Sequence, residues 1–188
     1  MGRVLVTDQL IDNARAATGL DDFGGNTFRE GLDILVADIN RDTDRPEANI
    51  AINEGMLTKA LIDRLMVENA VKERSEVLDA PVERPVFVFG IPRTGTTLLS
   101  NLLAADPARR SPLKWELDNP VPPPTTETLY TDPRALAALV AEKAMFAAYP
   151  DAGKIYRMSA TYPFEDVSIF AHEFRTLMWE SAGKLPNY

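Results

Sequence analysis

Apolar residues in the first third of the chain recur at helical spacing. Thr7 stands where a helix cap is expected, and the pattern stops at Gly19, which suits the left-handed end of a helix. A second periodic stretch opens with Thr27-Phe28-Arg29-Glu30, the sequence of a capping box, and a third runs from about Asn53 to Val77. These patterns predict a helical region over residues 1–80. The apolar positions are Leu10, Ile11, Ala14 and Ala17, then Phe28, Leu32, Leu35, Val36 and Ile39, then Leu57, Leu61, Ile62 and Leu65.

The pattern changes after residue 80, where Pro81 and Pro85 end the helical periodicity. Residues 86–89 form a continuous apolar run, Val-Phe-Val-Phe, which is typical of a strand buried on both faces in a parallel sheet. A turn from Gly90 to Gly95 follows, and then a helix over 96–105 with a leucine-rich face. The order predicts an α/β fold over residues 81–188, with a parallel sheet and flanking helices around a phosphate-binding type of loop.

Two further helices are predicted downstream. Asp132-Pro133 opens the first by a cap and a first-turn proline, with Leu136, Leu139 and Val140 facing inward. The second carries Val167, Phe170, Ala171, Phe174 and Met178 on its core face.

The predicted sheet is incomplete. Segments 113–115 and 154–156 are short candidates for strands, and a buried parallel strand needs neighbours on both sides. We therefore expect these residues to be the N-terminal part of a larger protein, or a second chain to supply the missing strands.

Composition narrows the class of protein. The formal net charge of −8 argues against a nucleic-acid partner, because affinity for phosphate backbones comes from clustered Lys and Arg. No apolar run approaches the ~20 residues that a membrane span needs. No signal peptide or cysteine is present, so a cytoplasmic location is expected. Residues 86–115 nevertheless carry four basic side chains against one acidic one, which favours a small anionic ligand there.

The turn is the chemically informative segment. Gly90-Ile91-Pro92-Arg93-Thr94-Gly95 fits G-x-x-x-x-G between a strand and a helix, an arrangement that directs main-chain N–H groups and a helix dipole at one anion. Thr96 occupies the position where a nucleotide triphosphatase has lysine, which weakens the case for ATP or GTP hydrolysis. Arg93 lies within the turn instead, and its planar guanidinium can hold two oxygens of a phosphate or sulfonate.

Residues 85–99 resemble the donor loop of the bacterial sulfotransferase-like family. Further similar segments lie on both sides of it: Ala14–Leu20, Leu102–Pro107, Trp115-Glu116, Pro122–Pro124, Asp132–Arg134 and Ala171–Arg175. The resemblance implies a P-loop-like α/β fold and 3′-phosphoadenosine 5′-phosphosulfate (PAPS) as co-substrate, without a metal. It further implies transfer of the sulfonate to a hydroxyl or amine of a small-molecule, lipid or glycan acceptor.

Carried over by position, the residues that would bind the 5′-phosphosulfate are Pro92, Arg93, Thr94, Gly95, Thr96 and Thr97. Arg93 stands where many relatives have lysine, and it would also stabilise the charge of the leaving group. The family holds the 3′-phosphate with an Arg and a Ser from a later strand and helix, and no such motif occurs before Tyr188. Either that site lies in a missing C-terminal portion, or this chain alone binds the donor poorly.

Two residues are candidates for the general base. Glu116 is the first choice, because it follows the loop helix where some relatives place a catalytic glutamate and because Trp115 could desolvate it. His172, the single histidine, matches no position at which relatives have a histidine base, and a place on the surface or beside the reacting groups suits it better than the role of base. Glu165, Asp166 and Glu173 could line an acceptor pocket or could simply be solvated.

Two other classes of function remain open. A kinase or nucleotide triphosphatase would share the fold class, but the loop lysine and a strand ending in a magnesium-binding aspartate are missing. A non-catalytic module, in which the loop survives as a scaffold, is kept open by the absent 3′-phosphate motif.

Overall fold

A computed structural model describes residues 3–91, 94–152 and 159–188. The chain divides into two compact units, Met1–Leu78 with Val167–Tyr188 as unit 1, and Asp79–Asp166 as unit 2. None of the described helices is both long enough and apolar enough to cross a lipid bilayer.

Unit 1 is built on three helices, α1 (Thr7–Thr18), α2 (Thr27–Arg41) and α3 (Glu47–Glu73). The predicted end of α1 is confirmed, since Gly19 has φ 70° and its N–H donates to the Arg15 carbonyl at 2.8 Å. The predicted capping box at the start of α2 is wrong. Thr27 is already helical, and its hydroxyl donates to a Glu173 carboxylate oxygen at 2.8 Å rather than capping the helix.

The apolar faces of these helices meet in one core with the C-terminal segment. Its fully buried members include Leu10, Leu32, Leu35, Ile39, Leu57, Leu61, Leu65, Phe174 and Trp179. The single last helix expected from the sequence is wrong: the structure has a short helix α7 (Val167–Phe170) and 3₁₀ turns at Ala171–Glu173 and Leu177–Ala182. Phe174 has φ 50°, which breaks the helix, and its ring lies in the core between Phe28 and Trp179, with centroid distances of 6.4 Å and 5.5 Å.

The C-terminal segment is held against α2 by polar contacts as well. Asp38 is 1% exposed and accepts hydrogen bonds from the Asn187 N–H at 2.7 Å, the Asn187 side-chain amide at 2.6 Å and the Tyr188 N–H at 3.1 Å. Three donors on one buried carboxylate make this the main polar anchor of the segment.

Unit 2 contains α4 (Thr96–Ala104), α5 (Lys114–Asp118) and α6 (Pro133–Ala148). The parallel sheet predicted for it is wrong: residues 86–89 belong to no strand, and in the described part of the chain the β-pairing is an isolated antiparallel bridge between Leu113 and Pro163. A strand needs a neighbouring backbone to bond its N–H and C=O groups, and among the described residues no second segment bonds 86–89 in this way. The candidate strand at 113–115 leads into α5 instead, and the one at 154–156 falls outside the described residues.

The core of unit 2 is small and is centred on Trp115, whose indole N–H donates to the Leu129 carbonyl at 3.1 Å.

The predicted cap of α6 is confirmed, because the Asp132 carboxylate accepts the Arg134 N–H at 2.8 Å. The inward face predicted for α6 is wrong at two positions, since Leu136 and Val140 are exposed. The core members are Leu113, Trp115, Leu129, Ala135 and Ala160, with Ala138 and Leu139 packed beside them.

Candidate functional site

The candidate donor loop spans Gly90 to Thr97 in unit 2, and two of its predicted ligands, Pro92 and Arg93, lie outside the described residues. In the described part, the Thr94 hydroxyl donates to the Ile91 carbonyl at 2.7 Å and closes the turn. Gly95 has φ 96°, a left-handed conformation that favours glycine, and α4 begins at the next residue. The predicted turn and helix start are therefore present as a short, closed loop.

Gly90 is needed because the chain returns close to itself. A Cβ at this position would lie 3.0 Å from the Thr94 hydroxyl oxygen and 3.2 Å from the Thr96 methyl carbon. Both contacts are tighter than normal van der Waals packing. The absence of a side chain keeps the loop narrow around the N-terminus of α4.

The N-terminus of α4 offers main-chain hydrogen-bond donors. In the first i to i−4 hydrogen bond of α4, the Leu99 N–H donates to the Gly95 carbonyl at 3.0 Å. The N–H groups of Thr96, Thr97 and Leu98 precede that bond, and no described residue accepts from them. Together with the positive end of the helix dipole, they suit a bound oxyanion.

Three basic side chains that follow the loop in the sequence are already paired with carboxylates. Arg109 lies 3.3 Å from Asp106, Arg110 is paired with Glu116, and Lys114 is paired with Asp118. Their positive charge is therefore largely balanced inside unit 2. For an anion at the loop, the available charge includes that of the α4 N–H groups and, by their places in the sequence, Arg84 and Arg93.

Glu116, the predicted general base, is 9% exposed and has both carboxylate oxygens engaged. One oxygen accepts the Leu113 N–H at 2.8 Å, which caps the first turn of α5, and the other pairs with Arg110. The buried position fits the expected desolvation. To accept a proton, however, Glu116 would have to exchange its contact with Arg110, so its catalytic role stays a prediction.

His172 belongs to unit 1 and is 8% exposed, with its Nε2 3.8 Å from an Asp63 carboxylate oxygen. Burial lowers the pKa of His172 to about 4, and the charges of Lys59 and Arg64 act in the same direction. The imidazole is therefore neutral at pH 7 and only weakly basic. Its surroundings are those of a packed structural residue.

We expect this histidine to make the protein less stable in mild acid. In the unfolded chain it takes up a proton near pH 6.5, whereas the folded state resists protonation down to about pH 4. The free energy of unfolding should therefore decrease as the pH falls from 6.5 to 4, by up to about 3 kcal/mol. Urea denaturation across this range measures it, and His172→Gln should flatten the dependence; an equally steep decrease in that variant contradicts the assignment.

Sequence reasoning missed Arg64, the buried polar centre of unit 1. Its guanidinium donates to the Phe23 carbonyl at 2.7 Å, pairs with Glu173 and lies 4.9 Å above the Phe28 ring. Glu173 is thereby engaged in structure: burial raises its pKa, but Arg64 and the Thr27 hydroxyl outweigh burial and the net shift is downward. A charged residue between Leu61 and Leu65, on an apolar helix face, was the signal available in the sequence.

The turn bounded by Gly90 and Gly95 leads into α4, and no described residue accepts from the first N–H groups of that helix, an arrangement that suits a bound oxyanion. Comparison with known proteins identifies the family. A model described as "Sulfotransferase family" matches residues 85–188, a range that opens just before the loop. The chain belongs to the sulfotransferase family, and the resemblance stated from residues 85–99 is confirmed.

Two solved structures are similar to this chain over almost its whole length. Sulfotransferase STF9 from Mycobacterium avium is 38% identical, with 96% of this chain and 47% of that chain covered and a TM-score of 0.84. Sulfotransferase STF1 from Mycobacterium tuberculosis H37Rv is 29% identical, with coverage of 99% and 52% and a TM-score of 0.85. The chain thus spans about half the length of these proteins. A search of curated proteins gave no match.

Proposed function

We propose that this chain carries the donor-binding loop of a sulfotransferase that uses PAPS. The sulfonate would pass to a hydroxyl or amine of a small-molecule, lipid or glycan acceptor. The observation that carries the proposal is the loop itself: Gly90 and Gly95 bound a turn, and no described residue accepts from the first N–H groups of the helix that follows it. Membership of the sulfotransferase family supports the assignment of this loop to a phosphosulfate.

The residues present fit such a donor, which supplies the sulfonate when bound. Gly90 lies close to the side chains of Thr94 and Thr96, which places the turn beside the N-terminus of α4, where the oxyanion would bind. The N–H groups of Thr96 and Thr97 would bind its oxygens, and the α4 dipole would stabilise the charge that develops on the leaving phosphate. Arg93, by its place in the turn, adds a formal positive charge and a bidentate donor.

Glu116 is the proposed general base. In this role its carboxylate would exchange Arg110 for the acceptor hydroxyl or amine and take that group's proton as the new bond to sulfur forms. The hydrogen bond from the Leu113 N–H would keep the carboxylate in place during the exchange. Glu116 would thus combine a capping and a catalytic role.

A non-catalytic role for these residues is the second candidate, and one observation favours it. No 3′-phosphate motif occurs in the 188 residues of the sequence. A loop that holds one phosphate of the donor without the other would bind weakly. A kinase-like role has no comparable support, because Thr96 replaces the lysine that such loops need.

A thermal-shift series separates these functions. We expect 3′-phosphoadenosine 5′-phosphate together with sulfate to raise the Tm, because these ligands would bind the loop N–H groups in the folded state only. Mg-ATP should leave the Tm unchanged. A larger shift with Mg-ATP would favour a kinase-like protein. No shift with either ligand would favour the non-catalytic role.

A further inference from the structure

Unit 1 contains a cleft of about 390 Å³ between α1 and the start of α2. Helix α1 contributes Asp8, Asp12 and Arg15, which lie at helical spacing on one face of the helix. The start of α2 contributes Arg29 to the opposite wall. We call this place the α1–α2 cleft. Its volume is within the range of small-molecule sites, and the proposed function gives it no role.

The base of the α1–α2 cleft is part of the packed core. The rings of Phe23 and Phe28 are stacked there with centroids 5.2 Å apart, and the two residues are 7% and 2% exposed. The buried Arg64 holds both of them, because its guanidinium donates to the Phe23 carbonyl at 2.7 Å and lies 4.9 Å above the Phe28 ring. The charged walls of the cleft therefore stand on a rigid base.

The charged side chains of the cleft form two ion pairs. Arg15 Nη1 lies 3.3 Å from an Asp12 carboxylate oxygen along α1, and Arg29 Nη2 lies 2.8 Å from Asp8 across the cleft. Arg29 also contacts Asp33 at 3.2 Å. The four side chains of the two pairs are at least 39% exposed, so each pair contributes little to stability and can exchange a partner for a ligand.

Arg15 is the cation best placed to exchange. Its contact with Asp12 is the longer of the two, and within the described part of the chain its Nε and Nη2 atoms donate to no acceptor. A guanidinium with donors left over can bind a carboxylate through two parallel hydrogen bonds. The α1–α2 cleft therefore offers a place for one carboxylate.

The arrangement favours a ligand that carries both signs of charge. An anion that takes Arg15 from Asp12 leaves that carboxylate unpaired beside the anion, and a cation at Asp12 has the same effect on Arg15. A zwitterion replaces both partners at once. The two side chains are neighbours on α1, with about 5–6 Å between Cβ atoms, so a carboxylate and an ammonium on one carbon atom can reach both.

We infer that the α1–α2 cleft binds a free α-amino acid with a polar side chain, its carboxylate at Arg15 and its ammonium at Asp12. The ligand's side chain then extends one helical turn toward Asp8 and Arg29. A side-chain amide suits that pair, because its carbonyl can accept from Arg29 and its NH₂ group can donate to Asp8. The inference goes beyond the proposed function and does not depend on it.

The test is an NMR titration of the whole 188-residue chain with L-glutamine. We expect saturable shifts of the amide signals of residues 8–15 and 23–29, with a Kd of about 1 mM or lower. Glutaramate lacks the ammonium and γ-aminobutyramide lacks the carboxylate, and each should bind at least about tenfold more weakly. L-norvaline lacks the side-chain amide and should bind about threefold more weakly or less well still.

These comparisons can overturn the inference at each contact. Equal binding of glutaramate or γ-aminobutyramide would contradict recognition of a zwitterion, and equal binding of L-norvaline would contradict a polar side chain. Absence of saturable shifts, or shifts confined to other parts of the chain, would contradict the site itself.

Matched variants assign the contacts to named side chains. Arg15→Gln and Asp12→Asn should keep the fold, because both side chains are exposed, and each should raise the Kd for L-glutamine about tenfold or more. In Arg15→Gln, L-glutamine and γ-aminobutyramide should bind equally, a result that a purely structural role would not produce. Arg74→Gln is the control, since Arg74 is an exposed arginine of unit 1 that pairs with Glu76 at the same 3.3 Å. A wild-type Kd in Arg15→Gln, or equal weakening by Arg74→Gln, would overturn the assignment.

Discussion

Replacing Glu116 with glutamine should lower the rate of sulfonate transfer by roughly 10²–10⁴-fold, the usual contribution of a positioned general base. The fold should survive, because the glutamine carbonyl can still accept the Leu113 N–H and glutamine serves at this position of a capping box. The pairing with Arg110 would be lost, but that side chain is about half exposed and the pair contributes little to stability.

The measurement is steady-state transfer to an acceptor, with circular dichroism as the check on folding. Asp118→Asn is the matched control, since Asp118 lies in the same short helix and is also paired with a cation, Lys114. It should transfer sulfonate at the wild-type rate. If Glu116→Gln retains that rate as well, Glu116 is a cap and not a base.

The largest effect on stability is expected at Asp38. Its replacement by alanine would leave the donors of Asn187 and the Tyr188 N–H without their buried acceptor, at a cost of about 3–5 kcal/mol in the free energy of unfolding. Urea denaturation measures this loss. Asp33→Ala on the same helix removes only an exposed pair with Arg29 and should cost under about 1 kcal/mol.

The Asp38 contact should also respond to acid. Burial raises the pKa of Asp38, but the hydrogen bonds from Asn187 and Tyr188 and the charge of Arg41 lower it further, and the net shift is downward. A carboxyl with a depressed folded-state pKa stabilises the fold above its unfolded pKa of about 3.9, and this contribution is lost as the pH falls through the folded value. The loss therefore begins at about pH 5, at the lower end of the range in which His172 acts, and continues below that range. Comparable costs for Asp38→Ala and Asp33→Ala would show that the C-terminal segment is held by its apolar contacts alone.

Several local features of the fold could be predicted from the sequence because their signal was itself local, although the local capping-box pattern at Thr27 was wrong. The end of α1 at Gly19 and the Asp132 cap of α6 each depend on one or two residues and their own backbone. The glycine-bounded loop before α4 belongs to the same group. Each of these features is decided within a few residues along the chain.

Features that depend on distant partners were predicted poorly. The apolar run at 86–89 indicated a buried strand, yet pairing requires a neighbour that no described residue supplies. Leu136 and Val140 follow a helical pattern, but little in unit 2 packs against them. Phe174 breaks the last predicted helix because its ring packs beside Trp179. Helical periodicity along the chain cannot predict such a contact.

Only the locally encoded part of the candidate site could be predicted from the sequence. The turn and its glycines are encoded locally, and they were found. Arg110 belongs to the predicted basic segment and Glu116 is the predicted base, and only the folded arrangement shows that the two side chains neutralise each other. The ligand roles of Pro92 and Arg93 stay predictions from the sequence.

Titration calorimetry with 3′-phosphoadenosine 5′-phosphate tests the donor loop most directly, on the wild type, Arg93→Ala and Arg109→Ala. Arg93 lies within the loop, whereas Arg109 is a nearby arginine already paired with Asp106. We predict binding to the wild type and to Arg109→Ala, and a Kd raised at least about tenfold in Arg93→Ala, the loss expected for one charge-assisted contact. Equal binding by all three proteins, or none by the wild type, would contradict the assignment of this loop as the donor site.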